Sequence, residues 1–210
     1  MENEGQGLDI QIKPIVKESK TEKIVKYLTG VDLDSPELFD KLEADQKNVR
    51  EKYGLPDRQS RIDDPDEYEK YLRKISEIEG IKVVEKDEYN KKYDGEFFSE
   101  DSFAGAVYDH ERKLIAVDIN KSDQNSYIRD LVNLEHETIH ALQNKYYPEI
   151  GIEVQEYEAY VVNWGIDFLR DNPNTVAVNF DFVRNSVNHW YREENEEKGT
   201  ELKAVWDSVE

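Results

Sequence analysis

Between Asp123 and Arg170 the sequence runs as two long segments of helical period separated by only a few residues, with Pro148 and Gly151 breaking the pattern. The first segment follows Asp123-Gln124-Asn125-Ser126, a helix-start signal, and continues to about Tyr146. The second extends from about Ile152 to Arg170, with Val154, Tyr157, Val161, Trp164 and Phe168 forming an apolar stripe at helical spacing. A link this short leaves two helices little choice but to pack antiparallel, face to face. Whatever else the chain builds must fit around that hairpin.

Upstream the period varies. Leu38, Phe39, Leu42 and Val49 predict an amphipathic helix from Pro36 to about Tyr53, stopped by Gly54 and Pro56. Asp64-Pro65 opens another, to about Glu79, with Tyr68, Tyr71, Leu72 and Ile75 on one side and Gly80 as its stop. Ile81 to Val84 reads as a short strand. Phe103–Tyr108 and Leu114–Ile119 read as a hairpin across Asp109-His110-Glu111-Arg112-Lys113. Ile115, Val117 and Ile119 alternate with less apolar positions, as in a half-buried strand, and His110 falls in the turn, facing solvent. Two further helices are expected near Phe180–Glu194 and Glu201–Val209. The division that follows is a flexible arm over 1–30, a helical region over 31–80, a core over 81–175 and a C-terminal helical segment over 176–210.

Composition excludes several classes. The formal net charge is -20, from 48 Asp and Glu against 28 Lys and Arg, which disfavours a nucleic-acid partner because phosphate binding needs a basic patch. Thirteen Tyr, seven Phe and three Trp supply the aromatic area of a packed core and argue against disorder. No apolar run approaches membrane-spanning length, and Met-Glu-Asn-Glu-Gly-Gln-Gly lacks a secretion signal, so the expectation is a cytoplasmic protein with no membrane partner. With no cysteine, disulfides and thiolate chemistry are excluded, and any zinc must be held by His and carboxylates.

The chemistry concentrates in the first helix of the hairpin. Residues 136–140 read His-Glu-Thr-Ile-His. Residues four apart share a helix face, so His136 and His140, two of only four histidines, can reach one metal ion. Two neutral imidazoles suit zinc and leave room for a third ligand and a water. Glu137 can be angled toward that water and take its proton. Glu153, Glu156 and Glu158 lie in the first turns of the second helix, opposite the histidines, and each is a candidate third ligand.

Over about residues 103–170 these features resemble the gluzincins, zinc peptidases whose third ligand is a Glu on the helix after His-Glu-x-x-His. Many of them carry Glu-x-x-Ala-Asp or Glu-x-x-Ala-Asn there. This chain has Glu156-Tyr157-Glu158-Ala159-Tyr160, so the resemblance implies Glu156 as the third ligand, with Glu158 as the alternative. Tyr160 replaces the Asp or Asn that would orient a ligand histidine. The implied fold is α+β and zincin-like: a small mixed or antiparallel sheet on an active-site helix, with additional helices at both ends. Either strand of the hairpin is then a candidate edge for an extended peptide. The implied activity is peptide hydrolysis on a peptide or protein substrate, with a Zn2+ cofactor and Glu137 as general base. Oxyanion donors are candidates at Tyr157, Tyr160, Arg184 and His189. The alternative is a non-enzymatic acidic interaction module with a structural or vestigial metal site.

Overall fold

Apolar residues at helical spacing produce helices that wrap a three-stranded sheet in the computed structural model, which describes residues 26–32, 35–93 and 105–163. In chain order these are α1 (Glu37–Tyr53), α2 (Arg58–Asp63), α3 (Pro65–Ile78), β1 (Lys82–Glu85), α4 (Lys86–Tyr93), β2 (Ala106–Asp109), β3 (Leu114–Val117), α5 (Gln124–Tyr146) and α6 (Ile152–Asn163). Asp57, Asp64 and Asp123 begin α2, α3 and α5. Each accepts the backbone N–H three residues on, at 3.0 Å, and so satisfies a donor that the first helical turn leaves over. Gly54 and Gly80 follow α1 and α3 at φ +68° and +74°, a left-handed conformation that costs glycine nothing.

The sheet order is β1-β3-β2. β1 pairs with β3 in parallel, and β2 pairs with it antiparallel, Val107 opposite Ala116 and Tyr108 opposite Ile115. β2 is therefore an edge strand and β3 is central. The mixed sheet packs on α5, and α3 and α6 pack on α5 in turn. This is a mixed α+β architecture.

Two expectations are corrected here. β3 is not half-buried: all four residues, Leu114 to Val117, are buried. Ile115 and Val117 join the main core, while Leu114 and Ala116 pack with Val84 and Tyr89 in a second small cluster. That second face is covered by α4, a polar helix with one buried residue, Tyr89, and too weak an apolar pattern to be anticipated. Tyr71 does not share the core face of α3. It is 40% exposed, whereas Tyr68 and Leu72 are buried. α2 is likewise unanticipated. Residues 26–29 of the expected N-terminal arm form a helical turn whose Leu28 packs on the core. Phe103, Trp164 to Arg170 and the two expected C-terminal helices lie outside the described residues.

The buried face of α5 carries a charge. Glu135 is fully buried and receives Arg50 from α1 (2.8 Å), Arg61 from α2 and the Tyr68 hydroxyl from α3. Arg50 also donates to the backbone carbonyls of Pro56 (2.7 Å) and Val162 (3.1 Å), the latter on α6. One carboxylate thus ties five helices together. Removing it leaves two guanidinium groups buried without their anion, which costs about 3–5 kcal/mol. Glu135→Ala is expected to lose stability by that order in a urea titration; an unchanged midpoint would show that the core does not depend on the pairing.

Candidate functional site

The helical hairpin forms as its short link requires. Tyr147 N–H caps α5 by donating to the Gln143 carbonyl (2.7 Å), and the Val154 and Gln155 N–H groups return to the Gly151 carbonyl at the start of α6 (3.0 and 3.1 Å). Contacts then run in opposite senses along the two helices. Gln143 meets Gln155, His140 meets Glu156, and His136 meets Tyr160. The pair is antiparallel.

His136 and His140 stand a turn apart, their Nε2 atoms 2.9 Å from each other and their rings at 83°. Glu156 places Oε2 3.7 Å from His136 Nε2 and Oε1 3.6 Å from His140 Nε2. Ligands around a zinc ion, at bond lengths of about 2.0–2.1 Å, stand roughly 3.3–3.4 Å apart in a tetrahedron. With one ligand atom taken from each residue, the three atoms lie within 4.8 Å of one another, so Glu156 has to draw in toward the two histidines for all three to hold one such ion. Among the described residues they are the group of His and carboxylate side chains close enough to share a metal.

Glu137 flanks this group. Its Oε2 accepts the backbone N–H of Tyr108 on β2 (2.9 Å). Because that N–H turns away from β3, Tyr108 and Ile115 form a pair without ladder hydrogen bonds, and Val107 carries the bonds to Ala116. Ala106, in phase with Tyr108, also directs its backbone polar groups away from β3. Burial pushes the Glu137 carboxyl up to about 7, against the opposing pull of His140 and of the Tyr108 amide. Burial also raises Glu156, and burial together with His140 lowers His136 well below the ordinary imidazole value, which keeps its ring neutral.

Of the sequence candidates, Glu156 reaches the histidines and Glu158 does not. Glu158 points toward α1, where Lys52 (2.6 Å) and the Tyr53 hydroxyl (2.6 Å) hold it, with Gln143 on its third side (2.9 Å). Glu153 has its side chain outside the description. Tyr160 lies edge-on against His136, 4.8 Å between centroids. Tyr157 turns the other way and donates to Asp45 of α1 (2.6 Å), so it serves the core and not the site. Arg184 and His189 lie outside the described residues. His110 is exposed in the turn after β2, as expected.

Sequence reasoning missed Gln143 altogether. This fully buried amide follows His140 by three residues and contacts its Nδ1 at 2.9 Å. The signal was present, since i and i+3 share a helix face, but a buried glutamine at that spacing gains meaning only from its partners on α6.

Comparison with protein-family models, curated proteins and solved structures found no match to this chain. Tyr157→Phe is expected to lower stability by about 1 kcal/mol, the value of one hydrogen bond, and to leave the geometry at His136 and His140 unchanged. Thermal unfolding and the histidine NMR signals would check both parts, and altered histidine signals would place Tyr157 at the site after all.

Proposed function

We propose that this protein is a zinc-dependent peptidase of gluzincin type with a zincin-like core, acting on peptide or protein substrates in the cytoplasm. The observation that carries the reading is the convergence of His136, His140 and Glu156 on one point, with Glu137 beside them against an edge strand. When bound there, zinc supplies Lewis acidity, lowering the pKa of a water and polarising a carbonyl oxygen.

The chain's own residues do the rest. Glu137, partly buried and oriented by the Tyr108 amide, takes the proton from the attacking water and passes it to the leaving amine. β2, one edge of the sheet, directs the backbone groups of Ala106 away from β3, the side on which an extended peptide would pair as an added strand. Tyr160 is the described candidate beside the site for donating to a developing oxyanion. Burial holds its phenol well above the usual value, helped by Glu156 and Glu137, so it keeps its proton. Among the described residues no helix is long and apolar enough to cross a membrane.

One observation favours a second reading, a structural or vestigial metal site in an acidic interaction module: the aromatic ring of Tyr160 stands where a carboxylate would orient His136. A closed structural site takes four protein ligands. Against it, Glu158, one of the carboxylates that would serve as the fourth alongside Glu153 or a terminal one, is committed to Lys52, Tyr53 and Gln143.

The purified protein is expected to bind one zinc per chain and to lose it in His136→Ala and in Glu156→Ala. Glu137→Gln should keep the zinc and cleave a mixed peptide library about 10²–10⁴-fold more slowly. Zinc bound with no cleavage by the wild type would favour the interaction module. An absence of zinc after supplementation would end both readings.

A further inference from the structure

Gln143 stands between a histidine of the site and a carboxylate outside it. A side-chain amide has two N–H donors on one end and an acceptor oxygen on the other. Both donors of Gln143 are engaged at once, by the Gln155 backbone carbonyl (3.1 Å) and by Glu158 Oε2 (2.9 Å). A carbonyl and a carboxylate accept and never donate. Turning the amide over would set its oxygen against both of them, inside a residue with no exposed surface. Its orientation is therefore fixed, with Oε1 toward His140 Nδ1 at 2.9 Å.

Glu158 is fixed in its turn. Lys52 Nζ donates to one oxygen and the Tyr53 hydroxyl to the other, each at 2.6 Å, and burial and the neighbouring Glu158 hold the Tyr53 phenol protonated as a donor. Both come from the last turn of α1, far from His140 in sequence.

We propose that Lys52, Tyr53, Glu158 and Gln143 form a positioning relay that holds a ring proton of His140 on Nδ1 and so turns Nε2 toward His136 and Glu156 as the ligand atom. An acceptor on one ring nitrogen demands the proton there, and the other nitrogen becomes the ligand atom. The relay occupies the role that the Asp or Asn after Glu-x-x-Ala would take for a ligand histidine. It acts on the second histidine, from the same helix, and is anchored on α1. Its consequence for metal affinity rests on the zinc-site reading above; the address of the proton does not. Gln143 and Glu158 are positioning residues, since they act through His140.

Two readouts test the relay on the full-length chain. Long-range proton–nitrogen NMR, at about pH 8 and so above the ordinary imidazole value of about 6.5, reports which ring nitrogen of His140 carries the proton, with the signal assigned by its loss in His140→Ala. Competition with a chromogenic chelator gives zinc affinity. The wild type is expected to show His140 protonated on Nδ1. Gln143→Leu should give a mixture of tautomers and bind zinc about 10–100-fold more weakly. Gln143→Glu presents an acceptor whichever way it turns. It should keep the Nδ1 proton and near-normal zinc affinity while destabilising the fold through its new charge beside Glu158. Glu158→Gln releases the amide to turn over and should give part of the tautomer shift, which keeps the test open if the leucine variant fails to fold.

A merely structural role would make the Leu and Glu variants fall in stability together with the tautomer unmoved in both. That result, or a wild-type His140 protonated on Nε2, would overturn the relay. Failure of the wild type to bind zinc would instead count against the peptidase reading, while the tautomer measured without metal would still decide the relay.

Discussion

The buried pairing of Glu135 with Arg50 and Arg61 is the constraint on which the other helices depend. A carboxylate with no exposed surface must have its charge matched and its lone pairs filled, and here two guanidinium groups and the Tyr68 hydroxyl do so. Those partners come from α1, α2 and α3, and Arg50 reaches on to the Val162 carbonyl of α6. Apolar contacts such as Leu131, Leu134 and Leu72 supply most of the burial, but they tolerate small slips. A charge network tolerates few, because any slip strands an ion. It therefore sets the rotation of α5 about its axis.

That rotation matters for the chemistry. With Glu135 turned into the helical layer, the next residue, His136, comes out toward α6, and Glu137 comes out toward β2. Successive helical residues differ by about 100°, so three consecutive positions serve three surroundings: the charged core, the metal-capable group and the sheet edge. His140 returns to the direction of His136 one turn later. The same order explains why α1, which offers no residue to the site itself, still bears on it twice from its last turn, through Arg50 to Glu135 and through Lys52 and Tyr53 to Glu158.

The sheet's contribution is equally local. β3 is enclosed by α5 on one face and α4 on the other and supplies only hydrophobic packing. β2 is the edge strand that meets α5 at Glu137, and its Tyr108 amide fixes the Glu137 carboxylate. The close fit of helix to strand shows at Gly105, where a Cβ would come within 2.2 Å of the Asn133 side-chain amide. Strand and helix meet one turn before Glu137.

By itself the sequence determined whatever depends on spacing along one chain segment. Helical period, with Pro36 and Asp64-Pro65 as start signals, placed α1 and α3 to within a residue, α5 began three residues earlier than expected, and the four-residue interval put His136 and His140 on one face. The short link after Tyr146 made α6 antiparallel. Tertiary structure decided what depends on the far partner. Glu156 and Glu158 sit in the same turn, in equally acidic surroundings, and differ by about 200° around the helix axis. Sequence resemblance alone separated them; in the fold, one faces α5 and the other is held by Lys52 and Tyr53, more than a hundred positions away. Tyr157, Gln143 and the second face of β3 have the same character. Period says that a side chain lies on a face, and only packing says what that face meets.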